Sequence, residues 1–153
     1  MNRHTRYQGA IVRDHQILLL RQRIFPSGRI VWLFPGGGIE ADETEEDCVK
    51  REMKEETNLD VKVKRLLLDE AVLNKSRPYK QFKTYLCEPQ NNDAKPGYDP
   101  EYNPAVEAAG LHGILEVKWF DLRNEDNWDT LLVNDPLTYL PLQRIRNKLG
   151  YVT

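Results

Sequence analysis

Three glutamates, Glu52, Glu55 and Glu56, lie shortly after a run of three glycines at Gly36 to Gly38. On a helix of 3.6 residues per turn, offsets of i, i+3 and i+4 place all three carboxylates within about a quarter of the circumference. Val49 and Met53 flank that arc and Cys48 lies one turn before Glu52, whereas Glu46, Asp47, Lys50 and Lys54 point mostly elsewhere. The acidic face therefore adjoins the face that must be buried. Like charges crowded beside apolar surface repel and lose hydration, which is unfavourable unless protons or a divalent cation offset it. A hard cation with oxygen ligands is the natural solution. Mg2+ accepts one or two carboxylates, keeps waters and completes its octahedron with phosphate oxygens, so a phosphate substrate follows from that choice. Such an ion neutralises phosphate charge and acidifies bound water, while a carboxylate outside its ligand set accepts the proton. An isolated E-x-x-E-E on a solvated helix would carry no such meaning; its surroundings decide.

Those surroundings read as strand, turn and helix. Ile30 to Phe34 is β-branched and aromatic and ends at Pro35, Gly36, Gly37 and Gly38, where missing Cβ atoms permit a tight turn and close ligand approach. The helix is predicted to start near Asp42 to Thr44, with side-chain oxygens capping its amides, and to stop at Asn58, which tolerates the left-handed conformation. Upstream, Gly9 to Arg23 reads as two strands around a polar turn at Asp14 and His15, and Phe25 to Arg29 as a loop. Downstream, Val61 to Leu68, Gln81 to Leu86 and Ile114 to Phe120 read as strands. Pro89 to Gly113 holds four prolines and reads as one long loop. Pro141 suits the first turn of a terminal helix carrying Leu142, Ile145 and Leu149 before Gly150. Without repeats or a dividing linker, residues 1–153 read as a single domain.

Taken whole, Gly37, five residues, Glu43, seven residues and Arg51-Glu52-Met53-Lys54-Glu55-Glu56-Thr57-Asn58-Leu59 resembles the Nudix box. Asn58 stands where that pattern asks for glycine, the least damaging replacement at a left-handed helix exit. Leu18-Leu19-Leu20-Arg21, Trp32-Leu33-Phe34-Pro35-Gly36-Gly37 and Glu116-Val117-Lys118-Trp119-Phe120 look like further family features in the expected order, so the resemblance covers roughly Gly9 to Leu122. It implies an α/β Nudix fold, a mixed β-sheet sandwiched between α-helices, and Mg2+-dependent hydrolysis of a pyrophosphate bond in a nucleoside diphosphate derivative, with Mn2+ as a substitute ion. By the same resemblance Glu52, Glu55 and Glu56 bind metal and supply the base, the Gly37 carbonyl is a further metal ligand, Arg51 orients the carboxylates and Glu43 braces loop and helix. The base is left open among the glutamates and later carboxylates.

The compact length resembles MutT-type members, which points to a (deoxy)nucleoside triphosphate yielding a nucleoside monophosphate. ADP-ribose or a nucleotide sugar is the alternative, although Asn74 stands where many ADP-ribose hydrolases carry proline, with Pro78 nearby. A Nudix-fold module that senses nucleotide without cleaving it is the alternative of another class, opposed by the intact glutamates.

Composition narrows the partners. A formal charge of −2 without a long basic run lacks the footprint of a nucleic-acid binder, RNA caps on long RNA included. Cys48 and Cys87 are far apart and suggest neither disulfide nor zinc, and no apolar run is long enough for a bilayer span or secretion signal; a cytoplasmic protein without a membrane partner is expected. The family resemblance suggests a homodimer. Arg21 and Arg23 share a strand face and read as phosphate holders or solvated arginines. Glu116 reads equally as a late ligand or base and as a strand-edge residue, with Glu101 and Glu107 weaker. Tyr98 and Tyr102 read more as loop surface than as base-stacking rings, and Cys48, Trp32, Phe34, Trp119 and Phe120 as packing residues.

Overall fold

The computed structural model describes residues 4–24, 27–72, 79–97 and 113–152. Strands β1 (Thr5–Arg13) and β2 (Gln16–Ile24) form a hairpin whose turn residues Asp14 and His15 take φ of 52° and 67°, the left-handed pair that suits a tight two-residue hairpin turn. β3 (Arg29–Leu33) follows, then the two-residue strand β4 (Gly36–Gly37), helix α1 (Glu45–Thr57), β5 (Val61–Ala71), β6 (Gln81–Pro89), β7 (Ile114–Asp121), the short helix α2 (Thr130–Val133) and α3 (Pro136–Lys148).

The sheet is mixed. Its main path is β3-β2-β1-β6-β5, with β4 paired to β1 and β7 to β2. β1 and β6 run parallel, with Thr5 opposite Gln81 and Ile11 opposite Cys87, while the other pairs are antiparallel. Tyr7 and Gln8 pair with Gly37 and Gly36, whereas Val12 and Arg13 pair with Ile17 and Gln16. β4 and β2 therefore share the edge of β1 that faces away from β6.

Ile17, Leu18, Leu19 and Leu20 are all fully buried because both sheet faces are covered. Ile17 and Leu19 join Trp32, Phe34, Phe120, Trp128, Leu142 and Ile145 in one core. Leu18 joins Tyr7, Ile11, Cys48, Val49, Met53 and Leu59 in the other. Period-2 alternation thus splits one apolar run between the α3 side and the α1 side, giving the α/β Nudix-type sandwich that the resemblance implied.

Several boundaries differ from the sequence reading. β1 begins at Thr5 rather than Gly9, because its polar first residues are buried against β6 and β4: Thr5 and Gln8 are 3% and 4% exposed. β5 and β6 run on to Ala71 and Pro89. The terminal helix starts at Pro136, not at Pro141, because the Asp135 side chain accepts from the Leu137 amide and Pro136 fills the first turn; Pro141 is carried inside the helix and buried. α2 was not anticipated. Among the described residues no helix is long and apolar enough to cross a membrane.

Candidate functional site

α1 forms where local signals converge. The Thr44 side chain accepts from the Asp47 amide at 3.1 Å, and Glu45, Glu46 and Asp47 stand at the positive end of the helix. Asn58 closes it in the left-handed conformation, φ 64°, with its amide donating to the Lys54 carbonyl. The next carbonyls are satisfied by a downstream segment: Gly97 N–H donates to Glu56 O and Lys95 N–H to Thr57 O, both at 3.0 Å, and Asn58 donates to Asp93. A Cβ on Gly97 would come within 2.8 Å of the Glu55 carbonyl carbon, so only glycine lets the chain pass there.

Arg51 is the hub. Its Nε donates to Glu43 at 2.6 Å and Nη2 to the other Glu43 oxygen at 2.9 Å, a bidentate fork. Nη2 also donates to the Gly38 carbonyl at 3.1 Å, tying the glycine turn to the helix. Nη1 donates to Glu52 at 3.0 Å and to Glu55 at 3.2 Å, with Glu40 at 3.7 Å. One guanidinium thus holds three acidic side chains firmly and a fourth loosely. The Arg51 hydrogen bond keeps the Glu43 carboxyl below its ordinary pKa, and Glu43 raises that of Arg51 in return.

The three glutamates are not equivalent. Glu52 and Glu56 are each 1% exposed. Glu56 accepts from the Gly36 amide at 2.7 Å, which fixes it against β4. Glu55 is half-buried, and burial raises its pKa. Glu52 lies against Gly37, where an added Cβ would come within 2.7 Å of its carboxyl carbon. Its Oε2 is buried without a hydrogen-bond partner. Burial pushes the Glu52 carboxyl up to about 7, and the Arg51 charge only partly opposes this.

Two expectations follow. Gly37→Ala forces Glu52 aside and costs about 1–3 kcal/mol, read as a lower denaturation midpoint. Glu52 also makes the metal-free protein pH-sensitive. Its folded pKa, about 7, lies above the unfolded value of about 4.3, so the unfolded chain holds fewer protons between them. Stability therefore falls as pH rises through that window, by up to about 4 kcal/mol. Denaturant unfolding in chelator from pH 5 to 8 reads this slope, and Glu52→Gln flattens it; an equal slope in the variant contradicts the assignment to Glu52.

Other candidates sit elsewhere. Glu116 is opposite Arg21 across β2 and β7 and pairs with its Nε at 2.8 Å. Alternation puts Glu116 on the sheet face of Phe120, away from α1. Cys48 is fully buried in the core under α1. Glu101, Glu107, Tyr98 and Tyr102 lie outside the described residues. Among those described, no three His, Cys, Asp or Glu side chains already form a metal cage. Sequence reasoning missed the Gly38 carbonyl, Glu40, Gly97 and Arg6. Arg6 lies near enough to favour ionised Glu52 and donates to the Phe34 carbonyl at 2.9 Å. No spacing signals them, because each reaches the site through tertiary contact.

Known proteins align with this arrangement. The family model for the NUDIX domain matches residues 3–136. An ADP-ribose pyrophosphatase of Methanocaldococcus jannaschii is 46% identical over 59 residues, 39% of this chain and 34% of that protein, so the match spans about a third of that relative. A NUDIX hydrolase structure from Nitrosomonas europaea superposes with a TM-score of 0.72 at 21% identity, covering 97% of this chain and 72% of that one. An ADP-ribose pyrophosphatase from Streptococcus suis gives a TM-score of 0.62 at 22% identity, covering 97% of this chain and 93% of that one. Such distant structural likeness speaks for the fold alone, but the domain match takes in the whole glycine turn, the Arg51 hub and the glutamate helix: the chain belongs to the Nudix hydrolase family.

Proposed function

We propose that this protein catalyses attack of water on a phosphorus of the diphosphate bridge in a nucleoside diphosphate derivative, releasing a nucleoside monophosphate and a second phosphorylated product. The observation that carries the reading is Glu52 Oε2, a buried carboxylate oxygen without a hydrogen-bond partner beside Gly37. Such an oxygen calls for a proton or a cation. Nudix hydrolases generally use divalent metal ions, and the donor set here, all oxygen, suits Mg2+, with Mn2+ as substitute. Glu52, Glu55, Glu56 and the Gly37 carbonyl would hold it, with water and phosphate oxygens completing its shell. When bound, the ion supplies charge neutralisation and a more acidic water.

The chain's own groups do the positioning. Arg51 holds Glu52 and Glu55 in place, and the Gly36 amide fixes Glu56. Glu55 and Glu56 are the candidate proton acceptors; the raised pKa of Glu55 moves it toward the range in which a base works near neutral pH. A (deoxy)nucleoside triphosphate is the first substrate we propose. The 46% identity with a protein named ADP-ribose pyrophosphatase favours ADP-ribose as a second reading.

The test is phosphate release from nucleoside triphosphates, ADP-ribose, nucleotide sugars and dinucleoside polyphosphates, coupled to pyrophosphatase or phosphatase, with and without Mg2+. Mg2+-dependent turnover supports the hydrolase and its best substrate decides between the readings. Nucleotide binding without turnover or Mg2+ dependence supports the sensing module instead.

A further inference from the structure

The last turn of α1, which carries Glu55 and Glu56, is stitched to the stretch of chain that leaves β6. The stitches run in antiparallel order. Gln90 N–H donates to the Asp60 carbonyl at 2.7 Å, and Asn58 Nδ2 donates to the Asp93 carbonyl and to its carboxylate, both at 3.0 Å. Lys95 N–H then reaches the Thr57 carbonyl and Gly97 N–H the Glu56 carbonyl. Between them Ala94 packs against the core under α1. Asp93, Lys95 and Gly97 are exposed, so these bonds and Ala94, rather than deep burial, hold the stretch to the helix.

A helix leaves its last carbonyls without partners, and its ends open first. Glu55 and Glu56 stand in that vulnerable turn, whereas Glu52 is one turn further in. The ties from Glu55 to Arg51 and from Glu56 to the Gly36 amide fix their carboxylates only if the backbone beneath them is fixed too. A functional site needs its groups held within about 0.5 Å. Asn58 is the telling residue. Glycine, which the Nudix box has there, would also suit φ 64°, but only asparagine brings an amide that reaches Asp93. Gly97 makes the complementary concession: an added Cβ would press on the Glu55 carbonyl and come within 3.0 Å of the Glu56 carbonyl carbon.

We propose that Asp93 to Gly97 is a positioning strap for the ion-holding carboxylates: Asn58 anchors it, and Gly97 lets it lie close enough to hold the turn that carries Glu55 and Glu56. The inference rests on the reading that these glutamates hold a divalent ion. Groups that support metal ligands from behind contribute about 10–100-fold in metal affinity or activity. The strap acts in that way on two of the three glutamates, through their backbone. A helix cap alone would behave differently. Glycine is the usual residue at a left-handed helix exit, so Asn58→Gly would then be neutral.

The experiment titrates Mn2+ into the metal-free full chain and follows the free ion by electron paramagnetic resonance, which needs no turnover. Asn58→Gly weakens Mn2+ by about 10-fold or more while the thermal midpoint in chelator stays in place. Gly97→Ala, which lifts the strap instead of unhooking it, shows the same direction. Asn58→Asp combined with Asp93→Asn, in which donor and acceptor are exchanged, recovers part of the loss seen with Asn58→Asp alone. In hydrolysis assays the Mg2+ concentration for half-activation rises by the same factor, with KM for the nucleotide unmoved. Wild-type Mn2+ affinity in both single variants overturns the proposal, as does weakening that only follows loss of folded chain in chelator, or a wild type that binds no Mn2+. Strap-dependent Mn2+ binding without turnover of any diphosphate leaves the strap standing and removes the hydrolase. Turnover whose Mg2+ requirement is the same in both variants does the reverse.

Discussion

If the proposed function holds, Glu56→Gln is expected to lower Mg2+-dependent hydrolysis by about 10²–10⁴-fold, the usual contribution of a positioned proton-transfer group, while the fold survives. The amide oxygen still accepts the Gly36 N–H, so the link from α1 to β4 is kept while the charge is lost. Glu56 is 1% exposed, and removing a charge from such a place does not lower the thermal midpoint. The two measurements belong together: rate from initial velocities at saturating substrate, stability from thermal unfolding in chelator. Near-wild-type kcat would remove Glu56 from both metal binding and proton transfer. A collapse of the midpoint would instead make it a structural residue whose effect on rate is indirect.

Arg51→Ala is expected to have the largest effect on stability, about 3 kcal/mol or more. Breaking a buried ion pair by removing one partner leaves the other charge uncompensated, and Glu52 is such a partner. Glu43, Glu55 and the Gly38 carbonyl lose their donor at the same time. Much of the loss should disappear in the Arg51→Ala, Glu52→Gln double variant, in which no carboxylate charge remains at the buried position. Lysine restores the charge but not the fork that engages Glu43 through two nitrogens, so Arg51→Lys falls between wild type and alanine. Urea unfolding of wild type, Arg51→Ala, Glu52→Gln and the double variant gives the coupling directly. Additive losses would mean that Arg51 and Glu52 do not interact through charge.

How much of this could be read beforehand depended on the range of the causes. α1 was legible from end to end because its determinants are local: Thr44 caps it, the 3.6-residue period aligns Val49 and Met53 with the core, and Asn58 turns the chain out of it. The β1–β2 hairpin was legible for the same reason, since Asp14 and His15 carry the turn within the segment they join. β4 was not. Gly36 and Gly37 read as a turn because their partners, Tyr7 and Gln8, lie far upstream. Pro141 misled because a proline suits a first helical turn wherever it stands, and only Asp135 and Pro136, already filling that role, displace it. At the site, Glu52, Glu55 and Glu56 stood out as candidates by their helical spacing, and Arg51 and Glu43 only by the resemblance to the Nudix box. Their inequality did not. That Glu52 is buried with an unpaired oxygen, Glu55 half-buried and Glu56 tied to a backbone amide depends on how β1 and β4 close over α1. Glu116 was left between two roles because its partner Arg21 is on another strand.

The parallel ladder of β1 and β6 also governs when the site can exist during folding. Gln8 and Thr84, joined across it, are 76 residues apart in the chain, so this pairing carries the entropy cost of closing a long loop. The same stretch of β1 carries Gly36 and Gly37 on its other edge. α1 and the hairpin have only local loops to close, so both can form early, but the cradle around Glu52 is complete only once a distant strand has docked. Non-local pairings of this kind set the slow step in folding. A refolding chain is therefore expected to gain its helix before the cradle around Glu52, and a nascent chain released before β6 has emerged carries the whole glutamate motif without the scaffold that arranges it.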